Sequence, residues 1–169
     1  MSWSRPAVAM VWEAIDAYVR VAYGGKPAPS AVQQRLDTLR ALPPDDLFAG
    51  PVLEADDKAA PTRYALRLGN PFYPHMKLVI ERSPDGRGFL FRADTHDRHI
   101  RPAPGSRDYK AFCQLMEMNQ RLSEQIDAEW AKRGVPTFKE YLRHDLARRT
   151  AAASAASGQA KPGGAQPDE

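Results

Sequence analysis

Apolar residues recur along this chain with two different periods, and the change of period divides it into helical and extended segments. Val8, Val11, Trp12, Ile15, Val19 and Ala22 return at helical spacing after Ser4, a residue suited to capping, and Pro6 is tolerated in a first turn. The pattern predicts a helix to about Tyr23, stopped by Gly24-Gly25. Its charges are few, so it is expected to be covered on more than one side, by its own chain or by a second copy. After Lys26-Pro27-Ala28-Pro29, Ser30 and Gln33 have the spacing of a capping box, and Val32, Leu36, Leu39 and Leu42 line one face of a second helix that ends at Pro43-Pro44. Residues 45–61 mix Pro, Gly, Asp and Ala around a few apolar positions and predict no regular element.

From Thr62 the period becomes two. Tyr64, Leu66 and Leu68 alternate with Arg63, Ala65 and Arg67; Met76, Leu78 and Ile80 alternate with Lys77, Val79 and Glu81. Beyond the turn Pro84-Asp85-Gly86-Arg87, Phe89, Phe91 and Ala93 alternate with Leu90, Arg92 and Asp94. This predicts a three-stranded antiparallel meander. Keeping the apolar residues of the last two strands on one face sets Leu78 opposite Ala93, Ile80 opposite Phe91, Lys77 opposite Asp94 and His75 opposite His96.

Helical spacing then returns. Ser106 is expected to cap the longest helix, with Tyr109, Phe112, Met116, Leu122, Ile126 and Trp130 inward as far as Gly134, and Cys113 buried beside them. Thr137 and Glu140 have capping-box spacing for a last helix whose inward face is Phe138, Tyr141, Leu142 and Leu146. The predicted fold is α+β: a single domain over residues 1–150 with two helices before the meander and two after it, followed by a disordered Ala/Ser/Gly/Pro tail over 151–169.

Composition narrows the function classes only a little. A net charge of +3 over 169 residues gives a weak electrostatic case for nucleic acid. One cysteine forbids an intrachain disulfide and a paired-cysteine zinc knuckle, so a reducing, cytoplasmic setting is expected. No apolar run reaches the length of a membrane span or of a signal-peptide core.

The densest chemistry lies where His75 and His96 face each other beside Asp94, with His99 three residues on. Opposed imidazoles with β-carbons about 5 Å apart fit one zinc or another divalent metal, with an open position for water. Asp94-Thr95-His96 resembles the Asp-x-His that opens metallophosphoesterase sites, but the Gly-Asp and Asn-His-Glu companions are missing. The His96-Asp97 pair resembles the HD phosphohydrolase dyad, which belongs to an all-helical fold and not to a strand end. An ordinary polar loop explains the same residues, so no cofactor is predicted.

The polar sheet face carries Arg63, Arg67, Lys77 and Arg92 but lacks stacking rings, which argues against RNA recognition. Phe72 and Tyr73, in a loop stiffened by Pro71 and Pro74, are candidate anchors for a protein partner. The preferred expectation is a non-catalytic protein-interaction or regulatory module. A small metal-dependent hydrolase using His75, Asp94, His96 and His99 is the alternative, and a weak nucleic-acid binder acting through the basic face is the second.

Overall fold

A computed structural model describes residues 4–48, 53–57, 59–67, 76–94 and 102–159. It divides into two compact units, Met1–Phe138 and Lys139–Glu169.

The first unit begins with α1 (Arg5–Ala22), capped as its sequence requires: Ser4 Oγ accepts from Ala7 N at 3.3 Å. Its end is set by Gly24 and Gly25, with φ of 61° and 77°, values that L side chains rarely adopt. Val11, Ala14, Ile15, Ala17 and Tyr18 are all buried, so the scarcity of charge is answered within the chain itself. The second helix, α2 (Ser30–Ala41), buries Val32, Leu36 and Leu39. Its expected capping box does not form. Pro29 occupies the cap position, which moves Ser30 into the first turn, and Gln33 Nε2 donates to Ala28 O at 2.7 Å instead.

Among the described residues the sheet has four strands, not three, in the order β1 (Glu54–Ala55), β2 (Arg63–Leu66), β3 (Lys77–Arg82) and β4 (Phe89–Asp94), all antiparallel. A two-residue strand is too short to show a period, which is why β1 was hidden in the irregular stretch. The β3–β4 register agrees with the alternation: Leu78 faces Ala93, Ile80 faces Phe91 and Lys77 faces Asp94. The proposed pairing of His75 with His96 lies outside the described residues.

Tyr64, Leu66, Leu78, Ile80, Phe89 and Phe91 turn one sheet face into the main core, where α1 and α3 (Tyr109–Arg133) cover it. Trp130 is the hub of this layer: fully buried, its ring lies 6.4 Å from that of Phe91, and its Nε1 donates to Ala14 O at 3.1 Å. Phe48 closes the far end, 4.7 Å from both Tyr64 and Phe89.

Three details of α3 differ from the pattern. The helix begins at Tyr109, not at Ser106, whose carbonyl accepts from Tyr109 N in the preceding turn. Its buried face is confined to Asn119, Leu122, Ile126 and Trp130. Cys113, in the N-terminal half outside that face, is exposed. Gly134, with φ 68°, ends the helix as expected. The chain then returns along β4, where Phe91 N donates to Pro136 O at 3.1 Å and Phe91 pairs in parallel with Thr137.

In the second unit, α4 (Phe138–Gln159) continues past Thr150, where order was expected to end. Alanine is the strongest helix former, so the alanine-rich stretch extends the helix; residues 160–169 lie outside the description. Leu142 and Leu146, expected to face inward, are 48% and 67% exposed. The apolar stripe to which they belong is interrupted by Asp145, which pairs with Arg149 at 3.1 Å. Among the described residues, no helix is long and apolar enough to cross a membrane.

Candidate interaction face of the sheet

Strand alternation sends every second residue of the sheet away from the main core, and on that outer face charge follows a regular plan. The cross-strand pairs Glu54–Ala65, Ala65–Val79 and Val79–Arg92 form a row across all four strands. Ala65 and Val79 are the small apolar centre of this row. Around them stand four basic residues, Arg63, Arg67, Lys77 and Arg92, and four acidic ones, Glu54, Asp56, Glu81 and Asp94. The ring encloses a depression of about 270 Å³.

The charges are held by one another. Glu81 Oε1 lies 3.2 Å from Arg63 Nε and 3.3 Å from Arg92 Nη2, and the Glu81 side chain is only 12% exposed. Arg67 Nε donates to Glu54 Oε2 at 3.4 Å, and Lys77 Nζ lies 4.0 Å from Asp94 Oδ2. Arg92 has a second neighbour, the ring of Phe138, with its guanidinium carbon 5.7 Å from the ring centroid. Val79 and Leu90 are buried on this face, outside the main core, and they explain why β3 and β4 read as more apolar than strict alternation allows.

Asp56 fixes the rim at the turn between β1 and β2. Its Oδ1 accepts from the backbone N–H of Asp57, Thr62 and Arg63 at 2.9, 3.1 and 3.2 Å, and its Oδ2 accepts from Thr62 Oγ1 at 2.8 Å. The Thr62 hydroxyl foremost, with these N–H donors, holds the Asp56 carboxyl down at about 2. An anchored turn of this kind sets where Glu54 and Arg63 stand across the hairpin.

The structure therefore brings Arg63, Arg67, Lys77 and Arg92 together on one face, as the alternation predicted, and adds that each is matched by a carboxylate. Of the candidate metal ligands, Asp94 stands at the end of β4 with the Lys77 ammonium beside it, a neighbour that opposes a cation at that carboxylate. His75, His96 and His99 lie outside the described residues, as do the candidate anchors Phe72 and Tyr73. Among the described residues, no group of three or more His, Cys, Asp or Glu side chains is placed to hold a metal ion. Glu81 was visible in the sequence as an outward strand residue, and pairing the first two strands would have set it against Arg63. Glu54 and Asp56 carried no such signal, since they flank a strand too short to recognise. Comparison with protein-family models, with curated proteins and with solved structures returns no match to this chain.

Proposed function

We propose that this chain is a non-catalytic protein-interaction module that receives its partner on the outer face of the sheet. The observation that carries this reading is the two-signed ring around Ala65 and Val79. Four basic and four acidic side chains sum to no net charge there, and every basic one has a carboxylate within 4.0 Å. A polyanion gains affinity by releasing counterions from its phosphates, and here it would first have to displace carboxylates that do not leave. A protein surface carrying both signs gains instead, because matched charges fix register and reject wrong partners.

The test is occlusion of the centre. Ala65→Arg fills the depression, while Arg63→Ser removes one rim charge. Tagged full-length chain and both variants are exposed to the same cell extract, with melting temperatures measured alongside. A protein retained by the wild type and released by Ala65→Arg at an unchanged melting temperature supports the reading. Retention that ignores both variants overturns it, and so does salt-dependent binding of single- or double-stranded oligonucleotides through this face.

A further inference from the structure

The charges of the outer face stand in rows, and their order fits one partner in particular. Strand pairing sets Glu54, Ala65, Val79 and Arg92 level across β1 to β4, and the adjoining row sets Arg63 level with Glu81 and Leu90. A second copy laid face to face, about a two-fold axis parallel to the strands, meets each row with the same row reversed. Glu54 then faces the second copy's Arg92, Ala65 faces its Val79, and Arg63 faces its Glu81. By symmetry each of these contacts occurs twice. An axis laid across the strands instead sets Glu54 on Glu54 and Arg92 on Arg92, like charge on like. The face is self-complementary in one orientation and self-repelling in the other.

The ion pairs within one copy leave capacity for contacts between two. Glu81 Oε1 lies at ion-pair distance from Arg63 and Arg92, yet among the described residues it accepts no hydrogen bond, and Arg92 Nε donates none. The Glu54 and Arg63 side chains are 60% and 51% exposed, and each has enough acceptor or donor positions to take a second partner without releasing the first. Asp56 meets the second copy's Leu90, but it already has its donors in Thr62 and the backbone of its own turn. The Lys77 end is neutral within each copy, with Asp94 4.0 Å away. Facing sheets stand about 10 Å apart, a gap that long rim side chains fill over Ala65 and Val79.

We infer that the outer face docks a second copy of this chain in this one orientation, as a two-fold dimer held by Glu54–Arg92 and Arg63–Glu81 contacts between copies. This deepens the interaction reading above, on which it rests, by naming the partner. Four short strands present a small face, so the dimer is of the weak, reversible kind.

The experiment is sedimentation equilibrium of the full-length chain from about 10 to about 500 μM, in low salt and in about 0.5 M sodium chloride. A monomer–dimer equilibrium that weakens in salt is expected. Glu54→Arg and Arg92→Glu should each weaken it about tenfold, and an equimolar mixture of the two should recover it, because opposite signs then meet at both contacts. Mixing cures no folding defect. Should Arg92→Glu lower the melting temperature, Glu54→Gln, Arg92→Gln and the two combined replace it, and the combined variant should dimerise no worse than either alone. A chain that stays monomeric, a dimer that neither charge reversal weakens, a mixture of folded variants that recovers nothing, or glutamine losses that simply add overturns the inference. If the chain stays monomeric while Ala65→Arg still releases a protein from the extract, the second copy is excluded and the interaction face stands; if Ala65→Arg releases nothing and no dimer forms, the face itself falls.

Discussion

Replacing Glu81 by glutamine isolates the centre of the ion-pair ring, since the side chain keeps its shape and loses only its charge. Two guanidinium groups lie 3.2 and 3.3 Å from Oε1. At an effective dielectric of about 20, each contact has a bare Coulomb energy of about 5 kcal/mol. Most of that is cancelled. Arg63 and Arg92 are 51% and 34% exposed, so water screens both and regains them when the pair breaks, while the folded state must desolvate a carboxylate only 12% exposed. Exposed pairs contribute up to about 1 kcal/mol, and breaking a buried pair costs about 3–5 kcal/mol. Glu81→Gln belongs between these limits, at about 2 kcal/mol. Arg63→Gln, on the more exposed partner, should cost about 0.5 kcal/mol. Glu81→Met should cost no more than Glu81→Gln, because both arginines can turn to solvent and a linear apolar side chain fits beside Val79 and Leu90. The assay is equilibrium urea unfolding followed by far-UV circular dichroism, with the slope held constant between variants. A loss below about 0.5 kcal/mol for Glu81→Gln would refute the reasoning and reduce the cluster to ordinary solvated charges.

Trp130→Phe removes the hydrogen bond to Ala14 O and part of a fully buried ring, and thermal unfolding should show a loss of about 2–3 kcal/mol. Ala14 O keeps its helical role, so the loss should stay below the roughly 3–5 kcal/mol of Trp130→Ala. Gly134→Ala meets no atom within 4 Å but must hold φ at 68°, so strain alone should cost about 1 kcal/mol in the same measurement. Asp56 has its carboxyl lowered from 3.8 to about 2 by folding. A depressed carboxyl stabilises the fold fully above its unfolded value and loses that contribution as pH falls through the folded one. Acid unfolding of wild type and Asp56→Ala should therefore show a gap above pH 3.8 that closes towards pH 2. A gap that widens on acidification would contradict the assignment of Thr62 and the backbone donors as its cause.

The alternation of Leu78, Ile80, Phe91 and Ala93 was enough to set the β3–β4 register, because a slip of one residue would turn both strands inside out. The glycine stops after α1 and α3 were equally readable, since positive φ leaves few alternatives. Caps were harder. Ser30 and Ser106 have the right residue type, yet Pro29 fixes the start of α2 earlier, and a turn from Ala103 to Ser106 delays α3. Cys113 escapes the expected burial because α3 buries no residue before Asn119, so the apolar spacing of Tyr109, Phe112 and Met116 marks no buried face in its N-terminal half. On the candidate site, the basic half was legible from strand periodicity. Of the acidic half, Glu81 and Asp94 were legible in the same way; Glu54 and Asp56 were not, because they join the face through tertiary pairing that no local pattern announces.

The strap formed by Pro136 and Thr137 bears on how anything can approach this sheet. Strand addition requires a row of unspent backbone donors and acceptors along an edge. At β4 the amide of Phe91 is already spent on Pro136, and proline contributes no donor of its own. At the opposite edge β1 is only two residues long, and it begins with a charged side chain. Both rims thus discourage a visiting strand from zipping on through its main chain, the same devices that blunt edge-to-edge aggregation. On the proposed reading, recognition falls to side chains on the broad face, where specificity would be written in charge order and could change one residue at a time without altering the sheet beneath.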